Sequence, residues 1–253
     1  MLFLFPKLNT MDNKTVNSLW VSDKLGPLQI MCMKSYLSKG HDFHLYTYGT
    51  VANVPDGVIL KDANSIIPEN QIFIDLKNSY ATFSDWFRMT LLFKVGGWWV
   101  DSDTICLKYF DFEEPFVFAT EIGSESGKIQ SCNAVIKMAK NSDLGKNILE
   151  EISEKLSRVK KTDIKWTEIG AVAMKKHIDI LDFSKYELNY DVFCPVNFFN
   201  FTDFLSNESL VFGENTYAVH LWNKMWEWSN ISPEVSGRNN SFFEQIKRDY
   251  LNA

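Results

Sequence analysis

Gly96-Gly97-Trp98-Trp99-Val100-Asp101-Ser102-Asp103 is the stretch that decides the fold of this 253-residue chain. A Gly-Gly break ends whatever precedes it, a short apolar run follows, and an acidic pair closes the run. Read as a strand, the run carries two aspartates at i and i+2 on one side of its carboxyl end, about 7 Å apart. Two such carboxylates share one divalent cation, or divide between a cation and a ribose hydroxyl. Hard oxygen ligands suit Mg²⁺ or Mn²⁺, ions that usually sit against substrate phosphates.

Working outward, Ser79 to Val95 reads as a helix whose core stripe is Phe83, Phe87 and Leu91 at i+4 spacing. Asp85 and Arg88 fall on another face, one turn apart, within Ser84-Asp85-Trp86-Phe87-Arg88. Gly96-Gly97 stops that helix. Upstream, Val16 to Val21 reads as a buried strand, Pro27 opens a helix to about Ser38, and Phe43 to Tyr48 reads as the next strand. Strand–helix–strand order implies a parallel pair with a right-handed crossover. Ligands of open α/β sheets bind at the carboxyl ends of such strands, where the acidic pair lies.

Downstream, Phe116 to Glu121 and Asn133 to Met138 read as strands, and Leu144 to Val159 as an amphipathic helix. Thr167 to His177 is a weaker helix, and Thr216 to Leu221 a late strand carrying His220. Ser241 to Leu251 places Phe242, Phe243, Ile246 and Tyr250 on one side of a last helix. No repeat or linker divides the chain, so the expectation is one α/β domain spanning 1–253.

Composition narrows the function. Net charge is −6 with no long basic run, which argues against nucleic-acid binding. Cys32, Cys106, Cys132 and Cys194 are widely spaced, without Cys-x-x-Cys, and read as reduced thiols of a cytoplasmic protein. Met1 to Phe5 is apolar but too short for a signal peptide or a membrane span. Asn200 and Asn207 match glycosylation acceptors, read as coincidence without a secretory signal. Aromatics reach 15%, enough for a bulky core with some left for sugar and base sites.

The ordered set Ser84-Asp85-x-x-Arg88, Gly96-Gly97, Trp99, Asp101-x-Asp103 resembles the Asp-x-Asp sugar-nucleotide glycosyltransferases. These include the yeast initiating α-1,6-mannosyltransferases and bacterial capsule and lipopolysaccharide enzymes, and more distantly the glucosylating clostridial toxins. The likeness is strongest over roughly residues 16 to 140. Trp99 replaces a more usual tyrosine, and Ile169-Gly170-Ala171 stands where relatives often show Thr-Gly-Pro. The resemblance implies a GT-A-like, Rossmann-like α/β fold with a mainly parallel sheet flanked by helices. It implies a nucleotide-sugar donor, with UDP first and GDP the alternative. The acceptor would be a carbohydrate or lipid-linked glycan, with retention at the anomeric centre. A lipid-linked acceptor would leave room for contact with the inner face of a membrane.

Residue by residue, the resemblance makes Asp103 the direct metal ligand and lets Asp101 divide between ribose and metal. Asp85 would contact a donor-sugar hydroxyl, with Ser84 and Trp99 beside it. Arg88 would hold the sugar or a phosphate through its planar fork. Trp20 is either a core tryptophan or the platform for the base. His220, in Val219-His220-Leu221-Trp222, is either structural or a third metal ligand that tilts the site towards Mn²⁺. Asn133 would touch the sugar or acceptor, or else merely shape a turn; Trp166 and Glu168 are weaker acceptor-side candidates. A plain surface ion pair for Asp85 and Arg88, worth about 0.2–0.5 kcal/mol, is the bland alternative. Two other functions compete. In one, Val100-Asp101-Ser102-Asp103-Thr104 opens a haloacid-dehalogenase-type phosphatase with Asp101 as nucleophile, which needs a later lysine and acidic pair that Asp179 and Asp182 match poorly. The other is a non-catalytic carbohydrate-binding protein.

Overall fold

The computed structural model describes residues 12–206, 210–234, 237 and 239–251. Met1 to Phe5 and the acceptor at Asn207 therefore lie outside the described residues. In chain order the elements are β1 (Thr15–Trp20), α1 (Pro27–Ser38), β2 (Asp42–Thr47), β3 (Ile59–Asp62), α2 (Ala81–Val95), β4 (Gly97–Val100) and β5 (Thr104–Cys106). They continue with β6 (Val117–Ile122), β7 (Ile129–Met138), α3 (Asp143–Arg158), α4 (Ala173–Ile180), β8 (Ala218–His220), α5 (Asn223–Trp228) and α6 (Phe242–Tyr250).

Six strands form one sheet in the order β3-β2-β1-β4-β7-β6. The β3-β2-β1-β4 part is parallel, and β7 turns antiparallel against both β4 and β6. From β1 the chain moves outward to β2 and β3, then returns through α2 to β4 on the other side of β1. The strand order thus reverses between β1 and β4. A crevice opens at the carboxyl ends of strands at such a reversal, and here those ends are Trp20 and Val100. β3 and β5 are absent from the sequence expectation. β3 is short and half-exposed, and β5 has only three residues, so neither shows a periodic pattern.

Adjacent residues of a strand face opposite sides, so Trp98 and Trp99 enter different cores. Trp98 joins the core that holds α1 and α6, against Phe110, Phe112 and Phe193, while Trp99 joins the core that holds α2 and α3, against Phe87. Both indoles are fully buried and anchor β4 from its two sides. Gly96 and Gly97 both have positive φ, 77° and 85°, and a Cβ on Gly96 would sit 2.9 Å from the Lys140 backbone nitrogen. Only glycine turns the chain out of α2 directly into β4.

The apolar side of α6 is buried, with Phe242, Phe243 and Ile246 in the core beside Phe204 and Trp226. That face belongs to the body of the protein. Among the described residues no helix is long and apolar enough to cross a membrane. The weak helix expected over Thr167 to His177 is instead two pieces. Glu168–Val172 is a wide turn with non-helical geometry at Gly170, and regular α-helix begins at Ala173.

Candidate active site

β5 sits directly after the acidic pair and pairs antiparallel with β8, with Thr104 opposite His220. This two-stranded ribbon brings a residue 117 positions downstream of Asp103 to within 3.3 Å of it: His220 Nε2 faces Asp103 Oδ1. Asp101, Asp103 and His220 each offer a ligand atom, and the three atoms lie within 4.8 Å of one another. Two carboxylates and one imidazole at that spacing suit a hard-to-borderline divalent cation, Mn²⁺ or Mg²⁺.

Each ligand is braced from behind. Asp103 Oδ2 accepts a 2.7 Å hydrogen bond from the Asn223 backbone N–H. That N–H is presented by Trp222, whose backbone is left-handed (φ 59°) and whose ring stacks over His220 with centroids 3.8 Å apart. Asp101 Oδ1 accepts from Trp99 Nε1 at 2.8 Å and from Arg88 at 2.6 Å. Both bonds go to the same oxygen, which leaves the other for a cation. Asp103 is buried, not a solvated strand end.

Electrostatics follow from this packing. Burial raises the Asp101 carboxyl, and Arg88 offsets part of the rise. Burial acts the same way on Asp103, but His220 overrides it and holds the group below the usual carboxylate range. Burial opposes charging of His220, yet the Asp103 carboxylate carries its pKa well above the ordinary imidazole value. The two shifts run in the directions an ion pair gives, and a divalent cation held there would compete with the imidazole proton.

α2 supplies the second group. Arg88 is only 4% exposed, and its guanidinium reaches Asp85 Oδ1 at 3.2 Å as well as Asp101. It also lies 5.0 Å from the centre of the Trp99 ring. Its two terminal nitrogens each bond one of these carboxylates, which ties α2 to the end of β4. Asn133 on β7 donates to Asp85 Oδ1 at 2.7 Å. Burial pushes Asp85 up to about 6, with Arg88 and Asn133 pulling it back. A surface ion pair is excluded, because both partners are buried.

These residues line one cavity of about 1110 Å³. Trp20, Ser84, Asp85, Arg88, Trp99, Asp101, Asp103, Asn133 and His220 all border it. Trp20 is half-buried, anchored by a 3.0 Å hydrogen bond from Nε1 to the Lys24 carbonyl, so it is neither free nor sealed in the core. Trp99 is 1% exposed and serves the cavity mainly through its bond to Asp101. Glu168 turns away to Lys155, 2.6 Å distant, and does not border the cavity, whereas Trp166 does. Asp179 and Asp182, needed by the phosphatase reading, lie at the end of α4 outside the cavity.

Sequence reasoning missed the roles of three contributors. Asp75 receives the backbone N–H groups of Lys77, Ser79 and Thr82, which fixes the loop leading into α2. Gly170 packs so tightly that an added Cβ would strike the Asp85 carboxylate and come 2.6 Å from Asn133 Nδ2. Asn223 acts through its backbone. Only the aromatic run Trp222 to Trp228 hinted at this last segment. Cys132 and Cys194 form a buried thiol pair beside His220, sulfurs 3.7 Å apart; all four cysteines are free and buried.

Residues 27–126 match the family described as the glycosyltransferase sugar-binding region containing a DXD motif. Among solved structures, the PaToxG glycosyltransferase is similar with a TM-score of 0.52 at 15% identity, covering 68% of this chain and 70% of that one. The glycosyltransferase GlyE of Streptococcus pneumoniae TIGR4 is similar over 94% of this chain and 63% of its own, at 13% identity and a TM-score of 0.43. The catalytic domain of the alpha-toxin from Clostridium novyi is similar over 94% of this chain and 72% of its own, at 11% identity and a TM-score of 0.40. No curated protein matches. At such identities the PaToxG likeness is one of fold.

Proposed function

From the match of residues 27–126 to the DXD-containing sugar-binding region of glycosyltransferases, we propose that this chain moves a sugar from a nucleotide-sugar donor to a carbohydrate or lipid-linked glycan acceptor. One observation carries the reading. Asp101, Asp103 and His220 converge in the same cavity as Asp85, Arg88 and Asn133. The first group suits a cation on a diphosphate, and the second suits a sugar hydroxyl. A carbohydrate-binding protein has no need of the first group.

A bound Mn²⁺ or Mg²⁺ would be held by Asp101, Asp103 and His220, where it would act as a Lewis acid on the leaving diphosphate. The chain's own residues do the positioning. Trp20 lies at the end of β1, at the sheet reversal, and offers its ring to the base. UDP is the first choice of nucleotide and GDP the second. Asp85, ionised, accepts a hydroxyl of the donor sugar, while Arg88 and Asn133 hold that carboxylate still. Arg88 holds Asp101 at the same time, so one guanidinium sets the sugar site relative to the diphosphate site. Ser84, one residue before Asp85, borders the same end of the cavity. The family resemblance implies retention. We therefore assign same-face attack by the acceptor, with the departing phosphate taking its proton. Fixed dipoles around the site supply the electrostatic stabilisation.

The test is incubation of the purified protein with a panel of UDP- and GDP-sugars, with Mn²⁺, with Mg²⁺ and with chelator. Metal-dependent release of nucleoside diphosphate is the expected result. Cleavage of a phosphomonoester without it supports the phosphatase, and no turnover together with sugar binding supports the binding protein.

A further inference from the structure

Beyond the residues already given a role, the cavity has a rim with two tryptophans from distant parts of the chain. Trp166 precedes the wide turn at Glu168–Val172, and Trp228 ends α5. Their ring centroids are 5.5 Å apart with planes 55° from parallel. The Lys77 ammonium lies 5.5 Å from the centre of the Trp228 ring, and all three residues border the cavity. Trp228 is 47% exposed, an unusual exposure for so large an apolar ring. Amphipathic rings held open at a cavity mouth offer a large, rigid contact face at low conformational cost.

The position of the pair says which substrate it meets. Trp166 stands four residues before Gly170, and Gly170 packs against Asp85 and Asn133, the residues at the sugar end of the donor site. Trp20, the candidate base platform, ends β1 and packs against the other core. A donor lying from Trp20 through Asp101 and Asp103 to Asp85 leaves the Trp166–Trp228 rim beyond its sugar. We propose that Trp166 and Trp228 form the acceptor subsite, which takes a pyranose by stacking on its apolar face. This inference rests on the glycosyltransferase reading above. The Lys77 ammonium holds the Trp228 ring in place, and Lys77 has no ion pair with a carboxylate among the described residues.

The experiment compares wild type with Trp166→Ala, Trp228→Ala and Trp166→Phe. Two rates are measured with the active nucleotide sugar: donor hydrolysis in water alone, and transfer to a panel of free mono- and disaccharides. For the alanine variants the acceptor KM should rise about tenfold, the size of a lost aromatic contact. Hydrolysis and donor KM should stay within about twofold by the same reasoning, and Trp166→Phe should recover most of the transfer. Unchanged transfer in both alanine variants overturns the proposal. So does a parallel loss of donor affinity at unchanged melting temperature, which would assign the pair to the donor. A wild type that hydrolyses donor but transfers to no sugar of the panel also overturns it. A wild type that does not hydrolyse any nucleotide sugar instead removes the glycosyltransferase reading, and this inference falls with it.

Discussion

At the scale of single residues, the site is a chain of buried charges in which every member has a partner. Asp103→Asn keeps an oxygen to accept from the Asn223 N–H but loses the charge that a cation needs. Turnover should fall about a hundredfold or more, in line with several kcal/mol of lost cation stabilisation. Because the variant also removes the buried ionic partner of His220, a melting curve measured beside the hydrolysis assay separates lost stability from lost turnover. Arg88→Ala is the opposite case. It strands the buried Asp85 and the partly buried Asp101, so it should cost roughly 3 kcal/mol in chemical denaturation as well as activity. Arg88→Lys should still be poorly active, because one ammonium cannot bridge Asp85 and Asp101 as a planar fork does. Asp85 gives a pH dependence. Its pKa in the folded protein is about 6, above the unfolded value. The folded state therefore binds that proton more tightly, and its contribution to stability is fully present below the unfolded pKa. It is lost as pH rises through about 6. Raising the pH from about 4 to about 7 should lower the melting temperature of wild type relative to Asp85→Asn. Over the same window kcat/KM should rise, since the ionised carboxylate accepts a sugar hydroxyl more strongly than the protonated group. A profile that is flat through this range would remove Asp85 from the sugar site.

At the scale of elements, the wide turn at Glu168–Val172 decides whether Asp85 is held correctly. Gly170 leaves no room for a side chain against Asp85 and Asn133. Gly170→Ala should therefore overpack a tight junction and cost about 1–3 kcal/mol. It should lower hydrolysis more than nucleotide binding, because the displaced group is the proposed sugar contact. Isothermal titration with nucleoside diphosphate beside a turnover assay separates the two effects. Equal losses would place this turn at the diphosphate instead. The β5–β8 ribbon has the same standing at the metal end. Three residues on each side suffice to fix His220 against Asp103, with backbone pairing in place of a long strand.

At the scale of the whole molecule, the cavity draws on β1, α2, the turn after β4, β7 and the segment that follows β8. A ligand that spans them binds only the folded chain, and stabilises it by mass action. Nucleoside diphosphate at about 100 times its Kd should add roughly 2.7 kcal/mol. In a thermal-shift assay the shift with nucleoside diphosphate and Mn²⁺ together should exceed the sum of the two alone, and chelator or Asp103→Asn should abolish the excess. Additive shifts would mean that the cation and the diphosphate do not share a site.

Much of this was legible in the chain itself. The Gly-Gly break, the apolar run and the paired aspartates are local signals, and locality is what a sequence states directly: a strand of alternating faces with an acidic end, preceded by a helix with Asp85 and Arg88 one turn apart. The α/β order of the first half followed from the same short-range patterns. The antiparallel side of the sheet was not legible, since strand direction depends on where a distant strand pairs. Nor were β3 and β5, too short to show a period. The contacts that give each group its chemistry are long-range. Arg88 could have faced a phosphate, and only the packing of α2 against β4 aims it at Asp101. His220 was one histidine among four, and only a three-residue ribbon joins it to Asp103. Gly170 was marked only as part of Ile169-Gly170-Ala171, and its tight packing shows only when Asp85 and Asn133 are seen against it. Periodicity records which side of an element is apolar. Which charged group another element will meet is settled by packing, because burial and proximity, not residue type, set its pKa and its partner.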